Sequence, residues 1–473
     1  MGVDNWRAVV TERMSADGDQ GHGYVRQLCE RIGRSLEQHV LPVEVFNDEQ
    51  LFHAESRKLF TRAWVFLGHE SEIPKSADFM LRKVGLDQVI VTRSGDGAIN
   101  VLLNHCRHRG TEVCHVDAGN SSHFRCPYHG WIYKNNGDFV GAPDMRDAYG
   151  GRLDAKEWGL LRAPLVDTIH GLIFCSLDPS SQSLRDYLGN AAPMMDAIFG
   201  LHPQGMKVLG APERILVKTD WKIGAENFGG DAYHVGTTHY SATLSKFIEG
   251  DLRETGPNAV TYKLDNGHSF IGHRLTEWFG PPFQFWGYPQ ELVEQFDLTG
   301  LSDAELEMLR DRPPTIGTIF PNFSYLRFPS TARLGEFPVP FTNLKLWQPV
   351  APGVMEVWNW QLGWNCSTDE YNEASYLAGQ LNFGSAGMLE QDDTAAWEGI
   401  ARAGQSPWAR SEQMALHYAQ KPVEPDPTWA GPGDFYPSVY GEEAQRAFWR
   451  RWLSFMVAED RAPGSVPEAC SHD

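Results

Sequence analysis

The stretch CRHRGTEVCHVDAGNSSHFRCPYHGWIY, residues 106–133, carries three of the chain's seven cysteines together with four histidines. Thiolates and imidazoles at this density constrain a fold more than any local propensity, because a metal held by them pins separate loops to one point. The cysteine total is odd and the other four are thinly spread, so a disulfide framework is not expected and metal chemistry is the better use. Cys106-x-His108 and Cys126-x-x-His129 stand seventeen residues apart, each offering one thiolate and one imidazole. Structural zinc sites usually pair cysteine with cysteine and histidine with histidine, whereas here each loop mixes the two. The mixture fits a [2Fe–2S] cluster in which two histidines replace two cysteines on one iron. His105, Cys114, His115 and His123 fall outside the two tips and read as packing or surface residues.

Strands feed these loops. QVIVTR (88–93), the turn SGDG and INVLLN (99–104) lead into Cys106, and WIYK is expected to turn into DFVG with Asn136-Gly137 supplying positive φ. A second constellation lies in WKIGAENFGGDAYHVGTTHYSAT, residues 221–243. On one continuous helix Asn227, Asp231 and His234 share a face, but His239 falls about 140° away from His234 and needs the helix to loosen near Gly236. Two histidines with a remote carboxylate make a facial triad that leaves positions on iron(II) open for oxygen. NFGSAGMLEQDDTAAWEGI (382–400) offers Glu390, Asp392 and Asp393, and spacing does not choose among them.

C-x-H-x17-C-x2-H followed by Gly130 and Trp131 resembles the cluster motif of Rieske proteins. With ENFGGDAYHVGTTH and EQDD, the chain resembles, nearly end to end, the large catalytic subunit of Rieske-type aromatic-ring-hydroxylating dioxygenases. The resemblance implies a Rieske [2Fe–2S] cluster on Cys106, His108, Cys126 and His129, and a mononuclear Fe(II) on His234, His239 and Asp393. It makes Asp231 the bridging acid between His234 and the His129 of a neighbouring subunit, and so implies a ring of three, as a homotrimer or with a small β subunit (α3β3). Asn227, Phe228, Val235, Phe383 and Leu389 match positions lining the family's substrate pocket, where Leu389 replaces a frequent aromatic. The implied reaction uses O2 and electrons from NAD(P)H, passed by a reductase and a ferredoxin, to cis-dihydroxylate a small aromatic substrate, either a polycyclic hydrocarbon or an aromatic acid such as phthalate. Arg274 is a candidate partner for a substrate carboxylate. A Rieske monooxygenase or demethylase is the alternative with the same metals; an electron-transfer protein is the alternative of another class.

A formal charge of −20 argues against nucleic-acid binding, which needs clustered cations. The first thirty residues hold no apolar run long enough for a signal peptide or membrane span, which gives the expectation of a cytoplasmic protein. The fold class expected is α+β: an N-terminal helical arm (1–59), an all-β Rieske domain (60–180), and a catalytic domain (181–473) with an antiparallel sheet covered by helices. TIGTIFPNFSYLRF and the pair NLKLWQP and MEVWNWQLG supply strands; Phe448, Trp452, Phe455 and Met456 mark an amphipathic C-terminal helix.

Overall fold

The computed structural model describes residues 23–246, 251–331 and 338–459. The first 22 residues of the expected helical arm lie outside these. Within them the chain is α+β, and its sheets pair antiparallel throughout.

Two sheets carry the metal loops. Asp78–Val84, Asp87–Arg93 and Ile99–Leu103 form a meander extended by Ala118–Asn120, while His123–Arg125, Ile132–Lys134 and Phe139–Gly141 make a smaller sheet. Their inward side chains, among them Phe79, Ile90, Leu102, Phe124, Trp131 and Tyr133, enclose a core that also holds Cys106, Cys114 and Cys126. A third sheet joins Leu165–Ile169, Leu172–Ser176 and Val65–His69. The Asn136-Gly137 turn differs from expectation, since only Gly137 takes positive φ, at 90°. Lys134 N–H bonds to Asp138 C=O at 2.8 Å, closing a three-residue loop whose last position alone needs the left-handed region.

The other half is built on eight strands in the order Met206–Val217, Val354–Trp364, Val339–Ala351, Phe323–Ser330, Pro314–Ile319, Ser269–His273, Ala259–Lys263, Asp434–Tyr436. Helices cover the sheet, so its central strands read as nearly continuous buried runs rather than alternating ones. Six helices matter below: α1 (Glu49–Lys58), α2 (Trp221–Gly230), α3 (Val235–Thr238), α4 (Asp369–Phe383), α5 (Met388–Gln405) and α6 (Glu443–Val457). Asp220 caps α2 by accepting from Lys222 N–H at 3.0 Å, and α2 then runs across the sheet. Gly224 permits that approach: a Cβ there would meet the Trp347 ring at 2.6 Å. Of the expected C-terminal stripe, Phe448, Trp452 and Met456 are buried in α6 together with Trp449, while Phe455 is half-buried, stacked on Phe320.

A buried ionic knot ties α1, α2 and α6 together. Lys222 Nζ lies 2.6 Å from Glu55 Oε1 and donates to Asp220 Oδ2 at 2.9 Å, while the Trp221 and Trp452 indoles donate to Glu55 at 2.9 and 2.8 Å. Among the described residues no helix is long and apolar enough to cross a membrane.

Candidate metal centres and active-site pocket

The two N-terminal loops are closed in the same way. Gly110 N–H bonds to Cys106 C=O at 2.8 Å and Gly130 N–H to Cys126 C=O at 3.0 Å, with both glycines at positive φ. Each loop thus turns within five residues, puts its cysteine at the base and its histidine near the tip. The cysteines are buried, His108 is half-buried and His129 is exposed. The two imidazole centroids are 4.5 Å apart. His108 stacks on Trp131 with an interplanar angle of 6°, and its Nε2 lies 3.4 Å from the Tyr149 hydroxyl. Its Nδ1 is buried without a hydrogen-bond partner, as a nitrogen available to a metal would be. Tyr133 OH accepts from Arg107 N–H at 3.1 Å, which leaves its own hydrogen for Cys106 Sγ at 3.3 Å.

The second constellation departs from a continuous helix. α2 stops at Gly230, and Asp231 follows at φ −95°, ψ 68°; the chain re-enters α3 only after His234. The break therefore precedes His234, whereas the sequence placed it near Gly236. A second break lies at His239 itself (φ −100°, ψ 13°), between α3 and the helical turn Tyr240–Leu244, and the two rings stand with centroids 5.4 Å apart. Among the described residues, only His234, His239 and Asp393 bring three metal-type donor atoms within 4.8 Å of one another. Asp393 Oδ1 lies 3.2 Å from His234 Nε2 and 3.1 Å from His239 Nε2. His234 Nε2 and Asp393 Oδ1 are buried without hydrogen-bond partners, so the donors converge on a common point. Burial alone would raise the Asp393 carboxyl; the two imidazoles facing it hold it well below the usual carboxylate range.

The other acids have different employment. Glu390 pairs with Lys345 Nζ at 2.5 Å, both fully buried. Asp392 Oδ2 sits 3.4 Å from His239 Nδ1, and Asp231 Oδ2 sits 3.3 Å from His234 Nδ1. Each imidazole thus turns its Nε2 to the common point and its Nδ1 to a carboxylate, the arrangement that fixes tautomer and ring orientation at histidine metal sites. Two imidazoles and one carboxylate with an open side fit mononuclear iron(II). The loop donors, two thiols and two imidazoles spread more widely than the ligands of a single ion, fit a two-iron cluster.

A cavity of about 630 Å³, counting its open mouth, adjoins the triad and is lined by all five expected pocket residues, Asn227, Phe228, Val235, Phe383 and Leu389. The sheet provides its floor through cross-strand pairs, Ile316 with Leu326 and Phe328 with Phe341. Leu252, Thr255, His273 and Asn382 complete the wall. The sequence marks TIGTIFPNFSYLRF as strand, but which face meets the cavity depends on α2. Arg274 is not part of the lining; its guanidinium donates to Pro437 C=O at 3.3 Å, and among the described residues no Lys or Arg lines the cavity.

Comparison with known proteins agrees with this geometry. Residues 63–158 match the model of the Rieske [2Fe-2S] domain, and residues 201–458 that of the ring hydroxylating alpha subunit (catalytic domain). The chain is 58% identical to the N,N-dimethyl phenylurea N-demethylase subunit alpha of Sphingobium sp. (strain YBL2), over 93% of this chain and 96% of that one. It is 32% identical to the biphenyl 2,3-dioxygenase subunit alpha of Rhodococcus jostii (strain RHA1), covering 92% and 91%. The crystal structure of naphthalene 1,2-dioxygenase from Rhodococcus sp. bound to indole superposes with a TM-score of 0.85 at 37% identity, covering 92% of this chain and 99% of that one. With both domain models matched in order along one chain, and relatives alike over nine-tenths of it, the protein belongs to the alpha subunits of the ring-hydroxylating oxygenases, whose metals are a Rieske [2Fe–2S] cluster and a mononuclear non-haem iron.

Proposed function

We propose that this chain is a terminal oxygenase that removes an N-methyl group from an N,N-dimethyl arylurea or a closely similar aryl amide. The observation that carries the reading is the 58% identity, across nearly the whole of both chains, with a phenylurea N-demethylase subunit. In the reaction, one oxygen atom of O2 enters a C–H bond of the methyl group and the other leaves as water, using two electrons and two protons. The resulting N-hydroxymethyl group then breaks its C–N bond, its hydroxyl proton passing to nitrogen, to give formaldehyde and the N-monomethyl urea or amide.

Cys106, His108, Cys126 and His129 hold the cluster in this reading, and His234, His239 and Asp393 hold the iron. When bound, these metals supply dioxygen activation and the single electrons it requires. The chain's own residues do the rest. Asp231 and Asp392 orient the two imidazoles through Nδ1, and the Lys345–Glu390 pair keeps Glu390 from competing with Asp393 for the metal. Phe228, Phe383, Leu389 and the sheet floor hold an aryl ring and exclude water.

Electrons come from NAD(P)H through a reductase or ferredoxin, and cross from His129 of one subunit to Asp231 of the next in a trimer, with or without a β subunit. Two surface features support this route. Tyr128, beside His129, is 67% exposed, and Tyr233, between Asp231 and His234, is 64% exposed, as aromatic residues of an interface are in a lone subunit. We also propose the division into 1–59, 60–180 and 181–473.

Cis-dihydroxylation of a bicyclic hydrocarbon is the second reading, favoured by the mostly apolar lining and the likeness to naphthalene dioxygenase. An aromatic acid has less support, since among the described residues no Lys or Arg lines the cavity. Turnover under labelled O2, with a surrogate reductase and ferredoxin, tests these readings. Formaldehyde and a demethylated urea from a dimethylphenylurea support the first; a doubly labelled dihydrodiol from naphthalene, with no urea turnover, sinks it.

A further inference from the structure

Apart from His234 Nε2 and Asp393 Oδ1 of the triad, the cavity wall holds, among the described residues, two polar atoms that the folded chain does not satisfy. His273 Nε2 and Thr255 Oγ1 are buried without hydrogen-bond partners, in residues 1% and 4% exposed, and both residues line the cavity that the iron donors adjoin. Such groups are costly unless something pairs with them, and the chain places them beside a ligand space.

The lone pair of His273 can be assigned from its neighbours. On the paired strands Ser269–His273 and Pro314–Ile319, Ile271 pairs with Ile316 but Gly272 with Pro314, so Thr315 is the extra residue of a bulge. The Thr315 hydroxyl donates to Ile271 C=O at 3.1 Å and stands 2.6 Å from His273 Nδ1. With its hydrogen spent on Ile271, Thr315 accepts from His273, so Nδ1 carries the ring proton and Nε2 is a bare acceptor. Burial, and then the nearby Arg274, push the His273 pKa down to about 3, so the imidazole stays neutral at working pH. Ser269, two positions on either side of Ile271 from His273, bonds to Gly229 C=O of α2 at 2.6 Å, which puts this strand face toward α2 and the cavity. The other amides of the wall are engaged: Asn382 donates to Ser330 and Ala378, and Asn227 Nδ2 sits 3.4 Å from His234 Nδ1.

We propose, building on the N-demethylase reading, that His273 and Thr255 are specificity-determining residues that clamp an arylurea or anilide, His273 Nε2 accepting its N–H and the Thr255 hydroxyl donating to its C=O. A hydrocarbon fills the same cavity but leaves both atoms unpaired. The clamp therefore selects for the N–H next to a carbonyl and turns the dialkylamino end of the molecule away from it.

The test uses the metal-loaded oxygenase and three ligands: a 3-aryl-1,1-dimethylurea, its counterpart methylated at the aryl-bearing nitrogen, and naphthalene, with binding read by calorimetry. Wild type should bind the N–H urea about tenfold or more tightly than the N-methyl one. His273→Phe should reduce that difference to about twofold without weakening naphthalene, and Thr255→Val should weaken both ureas alike by roughly tenfold. Equal binding of the two ureas by wild type, or a preference that survives His273→Phe, overturns the His273 contact; unchanged urea affinity in Thr255→Val overturns the other. Formaldehyde release, measured separately, tells the two proposals apart: ureas that are discriminated but not demethylated refute the reaction, and ureas demethylated without discrimination refute the clamp. If either variant fails to fold, the wild-type comparison still decides.

Discussion

Tyr133 offers the most direct control over the cluster. Burial, and next its contact with Cys106, push its phenol pKa well up, so it stays protonated and donates to sulfur. A hydrogen bond to a ligating sulfur favours the reduced, more negative state. A bond worth about 1 kcal/mol corresponds to roughly 40 mV for one electron, so Tyr133→Phe should lower the cluster potential by about that much in a spectroelectrochemical titration. Glu226 is the residue whose charge matters most for pH. Burial pushes its pKa up to about 8, with Asp231 and Glu442 adding to the rise and a hydrogen bond from Tyr418 OH, 2.7 Å away and itself bonded by the Trp449 indole, opposing it. Between the unfolded value near 4.5 and about 8 the native state binds the extra proton, so stability falls as pH rises through that window, by at most about 1.4 kcal/mol per pH unit. Glu226→Gln should flatten that slope and gain stability at pH 8, as read by urea denaturation at a series of pH values. The candidate donors were legible in sequence at this scale because cysteine and histidine are scarce and their spacing within a loop is local. Spacing did not choose among Glu390, Asp392 and Asp393; only the resemblance singled out Asp393, because what engages Glu390 in the fold is Lys345, 45 residues away along the chain.

At the level of elements, the breaks after α2 and at His239 set how Asp231 and the two histidines face one another. Periodicity correctly grouped Asn227, Asp231 and His234, but a repeating pattern does not show where the helix stops. The Gly229-Gly230 end and the non-helical Asp231 became visible only with the sheet and α6 in place. The same holds for His273, whose aim follows from a bulge on a neighbouring strand. The elements are held in register by the knot at Glu55, which joins α1, the start of α2 and α6. Glu55→Ala would leave Lys222 with Asp220 alone and strip two buried indoles of their acceptor. We expect a loss of about 3–5 kcal/mol in urea unfolding, against less than about 1 kcal/mol for removing the exposed Arg26–Glu30 pair.

On the scale of the whole molecule, two centres of different chemistry share one chain and electrons must pass between them. In the proposed route Asp231 is 30% exposed while already bonded to His234, so it has a free side to offer a neighbouring subunit. Asp231→Asn should retain iron and acid-labile sulfide, keep a reducible cluster spectrum, and lose turnover by orders of magnitude; full activity in that variant removes the bridge. Sequence revealed the order of the two halves, since each has its own motif, but not the sheet order, in which strands more than 160 residues apart in the chain lie side by side. The matching closures of the two metal loops carry a consequence for biogenesis. Both are made by main-chain bonds alone, so each loop has its shape before iron and sulfide arrive. We expect cluster insertion to be a late event on a folded domain, entered from the histidine side because Cys106 and Cys126 are buried while His129 is exposed. An apoprotein prepared by mild chelation should accept a cluster again without passing through unfolding.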